Sequence, residues 1–339
     1  MIQELLRPIA ICVVGLLFGG TYTSLSAQDV KSASDAESRT FEVGPFAKPG
    51  VAVQVDFQAF ADSSLGQQII AAALKMAGDQ LGQERDVMGA IRESLGFDPF
   101  TQNIKIRMSI LDIEDSLNDT HVMLTMAKST GNLEGMLLAA PGYESKSVSG
   151  QTVHSLDIDG QQVFIAFGQA TSGDKQVAVS SSQAAVVAMM KTPMDTKSPL
   201  ASNMQWKVPA GQFLVVAPSQ IPNELVEDTP LKNITPLISS AFLSLGQHED
   251  MLKATFRLDA IEEPKALQIQ QLAQGIVAMA SLFQNEIAEE LDGDEMADIV
   301  VPVLQSMKVE RSKNSVNVST QVPTNAVIEF LRAEAGLPL

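Results

Sequence analysis

The sequence predicts an α+β protein of two similar lobes, each a largely antiparallel sheet with packed helices. Three observations lead there. Short runs alternate apolar with smaller or polar residues, as at Val51, Val53, Val55 and Phe57 and again at Ile104, Ile106, Met108 and Ile110; that is the period of a strand with one buried face. Between such runs apolar residues recur at helical spacing, as at Leu65, Ile69 and Met76. Residues 191–203 hold Pro193 and Pro199 among polar side chains, and the pattern restarts after them. A chain of 339 residues exceeds the roughly 100–200 of one domain. The expected division is a first lobe over 51–190, a linker over 191–203 and a second lobe over 204–339.

The N-terminal part reads as an export address. Residues 1–27 have the layout of a secretory signal peptide: Arg7 closes a short leading segment, and Pro8 to Gly20 form an apolar run of 13 residues. That run falls short of the roughly 20 residues that cross a bilayer as a helix. Cleavage is expected after Ala27, with a retained anchor as the alternative. Cys12, the one cysteine, lies inside the run and follows Ile11, where a lipid-attachment motif needs a small residue. Once the segment is removed, no cysteine remains, so disulfides, thiol catalysis and cysteine metal sites are excluded for the mature chain. An exported protein of this kind fits a bacterial periplasm or an extracellular location. Residues 28–50 are a polar lead-in with few apolar anchors, expected to be a flexible tether.

The elements follow in order. After the strand at 51–57, Asp62 or Ser63 caps a helix, and Val87, Ile91 and Leu95 mark a second one ending at Gly96. Strands are expected at 104–110, through Val122, Leu124 and Met126, at 153–156 and at 163–167, the last two joined across Asp159-Gly160, a hairpin dipeptide. A short helix covers 133–139. Another strand spans 176–180, and Ser182 opens a helix with Ala185, Val186 and Met189 inward. In the second half a strand at 213–216 and a short helix at 221–226 precede paired strands at 241–245 and 252–258. Pro264 opens a long helix with Leu267, Leu272, Ile276, Phe283 and Ile287 inward. Gly293 interrupts it before a helix through Ile299 and Val303, strands at 307–309 and 316–318, and a closing helix with Val327, Phe330 and Leu331.

Charge narrows the partners. Forty acidic residues face 23 basic ones, a formal net charge of −17, which argues against nucleic acid and against anionic lipid head groups. No phosphate-binding glycine loop is present, and no cofactor is expected. The histidines, His121, His154 and His248, have no metal-binding spacing and read as surface or sheet-edge side chains. His154, Ser155 and Asp157 suggest a hydrolytic set, but strand alternation separates Ser155 from His154. Ser172 and Lys175 have the spacing of an acylating serine motif, yet Gly173 and Asp174 between them mark a turn. Asp292, Asp294 and Glu295 lie at a helix break and are the candidate metal ligands, for calcium; helix capping and solvation are the preferred account of them. Asp112, Glu114, Asp115 and Asp119 form a second acidic loop. Met108, Met123, Met126, Met189 and Met279 read as adaptable core residues.

Leu95-Gly-Phe-Asp-Pro99 leading into Ile104, and the helix start Ser181-Ser182-Gln183-Ala184-Ala185, resemble a loose group of exported bacterial α+β proteins of unknown function. The resemblance covers mainly residues 86–190 and implies turns and caps, not catalytic groups. The expected function is therefore a non-catalytic binding or interaction protein of the bacterial envelope, whose partner is an envelope protein or a small ligand. The alternatives are an envelope hydrolase with spatially assembled carboxylates and a calcium-stabilised surface protein.

Overall fold

The structure is a computed structural model that describes residues 39–40, 51–80, 104–110, 120–128, 133–138, 142–158, 161–170, 172–191, 211–218, 233–290 and 297–335, with a few positions between them. Helices and a large antiparallel sheet build an α+β fold. The chain divides into two compact units. One lies within Met1–Gln58 and Leu74–Trp206, the other within Ala59–Ala73 and Lys207–Leu339.

Strand β1 (Val51–Asp56) runs directly into α1 (Phe57–Asp62) and α2 (Ser64–Gln80). The first unit continues with β2 (Lys105–Ile110), β3 (Thr120–Met126), α3 (Leu133–Leu137), β4 (Glu144–Val148), β5 (Gln151–Ile158), β6 (Gln161–Gln169), β7 (Lys175–Ser180) and α4 (Gln183–Lys191). Its strands lie in the order β1-β2-β3-β7-β6-β5-β4. One-sided burial was expected of β1, but both faces are covered, since Gln54 and Asp56 are buried along with Val51 and Val53. Met123, Ala166 and Ala178 of three neighbouring strands pack with Val186 and Met189 of α4. The first turn of α4 is capped by Ser182, whose Oγ accepts the Ala185 N–H at 3.3 Å.

Two hairpins shape the far end of this unit. Ile158 pairs with Gln161 in an antiparallel hairpin, and the dipeptide 159–160 between them lies outside the described residues. The hairpin of β4 and β5 turns at Ser149 and Gly150, with φ of 55° and 83°. Two successive positive φ values match the twist of the flanking strands. Sequence periodicity did not reveal β4, because Glu144 to Ser147 are all exposed and carry no apolar signal.

The second unit holds β8 (Gln212–Pro218), β9 (Ile238–His248), β10 (Met251–Ala260), α5 (Glu263–Glu290), α6 (Ala297–Ser306), β11 (Lys308–Ser312), β12 (Ser315–Pro323) and α7 (Thr324–Ala335). Strand order is β11-β12-β10-β9-β8. Ala266 and Ile269 of α5 close one core against Ala241, Leu258, Ala260 and Val316. A second core joins Leu65, Phe213, Leu252 and Ile328. Residues 59–73 thus group with the C-terminal unit, whereas composition alone placed them in a first lobe beginning at 51.

The start of α2 is fixed by polar contacts. The Ser63 hydroxyl donates to the Phe60 carbonyl at 2.6 Å and accepts the Gly66 N–H at 2.9 Å, so Ser63 rather than Asp62 is the cap. Gln247 accepts the Leu65 N–H at 3.2 Å and donates to Ser64 Oγ at 2.7 Å. A Cβ at Gly66 would lie 1.8 Å from the Phe60 carbonyl oxygen, so only glycine permits this approach.

Of the helix expected over 87–95 only Gly89 and Arg92 are described, both helical, while Val87, Ile91 and Leu95, the acidic loop at 112–119, the short helix at 221–226 and nearly all of the linker at 191–203 lie outside the described residues.

Candidate functional site

Helix α5 has 28 residues, a length of about 42 Å at 1.5 Å per residue. Its first half is tied down. Ala266, Ile269 and Ala273 are buried, and Arg311 holds its outer side, donating to Gln270 Oε1 at 3.1 Å and to Glu263 Oε1 at 3.3 Å. The second half differs: Met279, Leu282 and Phe283 are 53%, 77% and 52% exposed. A Cβ placed on Gly275 would meet nothing within 4 Å, so this stretch of helix faces open space.

These positions correct the sequence reading. Leu267 and Phe283 were expected inward, and Met279 was read as core; all three are exposed. The buried stripe is Ala266, Ile269 and Ala273, in which Ile269 fills the core between two alanines. That register rotates the larger apolar residues of the second half away from the core. Burying such side chains is worth about 1.5–3 kcal/mol each, so several left in water on one face mark a contact surface more often than chance.

Beside α5 lies α6, which packs against both α5 and β12. It is strongly apolar, yet none of its residues is fully buried and Pro302 sits inside it. Its C-terminal turn is clamped to β12: Thr320 Oγ1 donates to the Val303 carbonyl at 2.8 Å, and Ser306 Oγ donates to the Gln321 carbonyl at 2.7 Å while accepting the Gln321 N–H at 2.9 Å. The first of these answers a carbonyl that a helix end leaves without a partner, and the other two tie the last turn to the strand backbone. The apolar surface of α5 is therefore carried on an anchored base.

The histidines are not where sequence placed them, since His121 and His154 are both buried within the sheet. Tyr143 Oη lies 2.8 Å from His154 Nδ1. On the other side, His154 Nε2 is 3.4 Å from Glu134 Oε1 without hydrogen-bond alignment. Phe167 meets the imidazole edge-on at 5.4 Å. The imidazole has only 2% exposure, so a substrate would reach the Tyr143 or Glu134 end and not the ring. His121 Nδ1 is 2.7 Å from Ser180 Oγ, which also accepts the Ser182 N–H at 2.9 Å. With 3% exposure, this serine joins β3 to the start of α4 and offers no face to a substrate.

The remaining sequence candidates separate. Ser172 Oγ donates to Asp174 Oδ2 at 2.9 Å in a turn where Gly173 has φ of 88°, so its partner there is aspartate. Asp292, Asp294 and Glu295 lie outside the described residues. Among the described residues no three or more histidine, cysteine or carboxylate side chains gather as metal ligands, and no helix is long and apolar enough to cross a membrane.

No protein-family model matches the chain, and no curated protein matches it. Among solved structures it is similar to crystal form III of TP0453 at 8% identity and a TM-score of 0.38, over 89% of this chain and 100% of that one. Crystal form I gives 7% and 0.37 over 86% and 98%, and crystal form IV gives 8% and 0.39 over 84% and 92%. Likeness at that level identifies no family.

Proposed function

We propose that this chain is an exported, non-catalytic interaction protein of the bacterial envelope, built from two similar α+β lobes, and that it engages its partner through the second half of α5. The observation that carries the reading is the exposed set Met279, Leu282 and Phe283 on a helix whose first half is anchored. The signal-like pattern of residues 1–27 supports export. The two histidine clusters support binding over catalysis, since each secures neighbouring strands or a helix start inside the sheet.

The test uses the full chain, tagged at its C-terminus and produced in a bacterium that exports it. Fractionation and N-terminal sequencing are expected to place it outside the cytoplasm with a new N-terminus after Ala27. Affinity capture followed by native mass spectrometry is expected to yield a stoichiometric partner that the Leu282→Asn/Phe283→Asn pair loses. Retention of the same partner by that pair, or turnover in a hydrolase substrate panel, sinks the reading.

A further inference from the structure

We infer that the open face of α5 receives a cationic amphipathic helix of a partner protein. This rests on the interaction reading above and adds the chemistry of the partner. Gly275, Met279, Leu282 and Glu286 stand at i, i+4, i+7 and i+11, which at 3.6 residues per turn is one narrow stripe along the helix. Phe283 and Ala278 flank it. The two small residues, Gly275 and Ala278, are exposed and present almost no bulk, so a second helix can approach at the 8–10 Å typical of packed pairs. Met279, Leu282 and Phe283 then supply the apolar contacts by which a groove holds an amphipathic helix.

Charge selects among occupants. From Ala266 to Met307 the sequence has no lysine, arginine or histidine, and it has seven carboxylates: Glu286, Glu289, Glu290, Asp292, Asp294, Glu295 and Asp298. Glu286 and Asp298 are exposed. A second copy of this chain would bring like charge to like charge, and an anionic lipid surface is repelled in the same way. Lysine or arginine beside an apolar stripe meets the glutamate end of this face with opposite charge, which steers encounter and fixes orientation.

The experiment titrates the full chain into a fluorophore-labelled peptide of about 18 residues, long enough to bind as a helix, with leucine and lysine at helical spacing. A matched peptide carries glutamate in place of lysine. The expected result is binding of the lysine peptide alone, weakened about tenfold or more by Leu282→Asn/Phe283→Asn, with a shallower salt dependence in Glu286→Gln. All substituted side chains are exposed, and unchanged melting and circular dichroism establish that the variants fold. Equal binding of both peptides, or lysine-peptide binding indifferent to the asparagine pair, overturns the inference. So does binding to phosphatidylcholine vesicles or self-association in sedimentation that depends on Leu282 and Phe283 when the lysine peptide does not bind; in that case the α5 surface stands and the cationic helix falls. If neither peptide, vesicle nor captured partner depends on the pair, the interaction reading falls as well.

Discussion

At Asp62 a single carboxyl sets a measurable pH dependence. Although much of the residue faces water, partial burial of the carboxyl raises its pKa above the ordinary value of 3.8, because leaving water disfavours the charged form. Between 3.8 and that raised value the folded chain holds more protons than the unfolded one, so the residue's contribution to stability falls as pH rises through this window. Above it, the charged carboxylate opposes folding. Asp62→Asn should therefore raise the melting temperature at pH 7, and the gain should disappear below pH 3.8; an equal gain at both ends would mean that charge is not the cause. Ser63 beside it was legible as a candidate cap, since serine before a helical run signals a start. Gln247 was not legible, because nothing local in sequence ties it to Ser64 and Leu65 more than 180 residues earlier. The buried sites of His121 and His154 were hidden because their companions come from other elements.

In α5 the two halves should respond to substitution very differently. Ile269→Ala empties a fully buried position and should cost about 2–5 kcal/mol in denaturant unfolding. Phe283→Ala removes a larger side chain from a half-exposed position and should change stability by about 0.5 kcal/mol or less. Comparable losses at both positions would show that the outer face is packed. The existence of this helix was legible from Pro264 and its apolar spacing, but its orientation was not. Reading the largest apolar residues as inward selected Leu267 and Phe283, whereas the sheet accepts Ala266, Ile269 and Ala273 at close range. Strand runs with apolar alternation, such as β2, or with a short apolar run, such as β8, were readable; β4 had no such pattern to read.

Taken whole, the molecule carries 40 acidic and 23 basic side chains, and self-repulsion at a net charge of −17 works against compactness. Raising sodium chloride from about 10 mM to about 150 mM shortens the screening distance from about 30 Å to about 8 Å and should raise the melting temperature. A fall over that range would assign the dominant charge effect to favourable ion pairs. Pattern repetition led to an expectation of two bodies; the grouping of residues 59–73 with the C-terminal unit was not legible, because it depends on Leu65 meeting Phe213, Leu252 and Ile328. The outermost strands give this antiparallel protein one further property. β4 presents Glu144 and Lys146, and β11 presents Lys308, Glu310 and Arg311, and among the described residues each of these strands pairs with a neighbour on one side only. An incoming strand would have to desolvate those charges before pairing. Charged side chains on both strands thereby keep neighbouring copies from templating one another into fibrils.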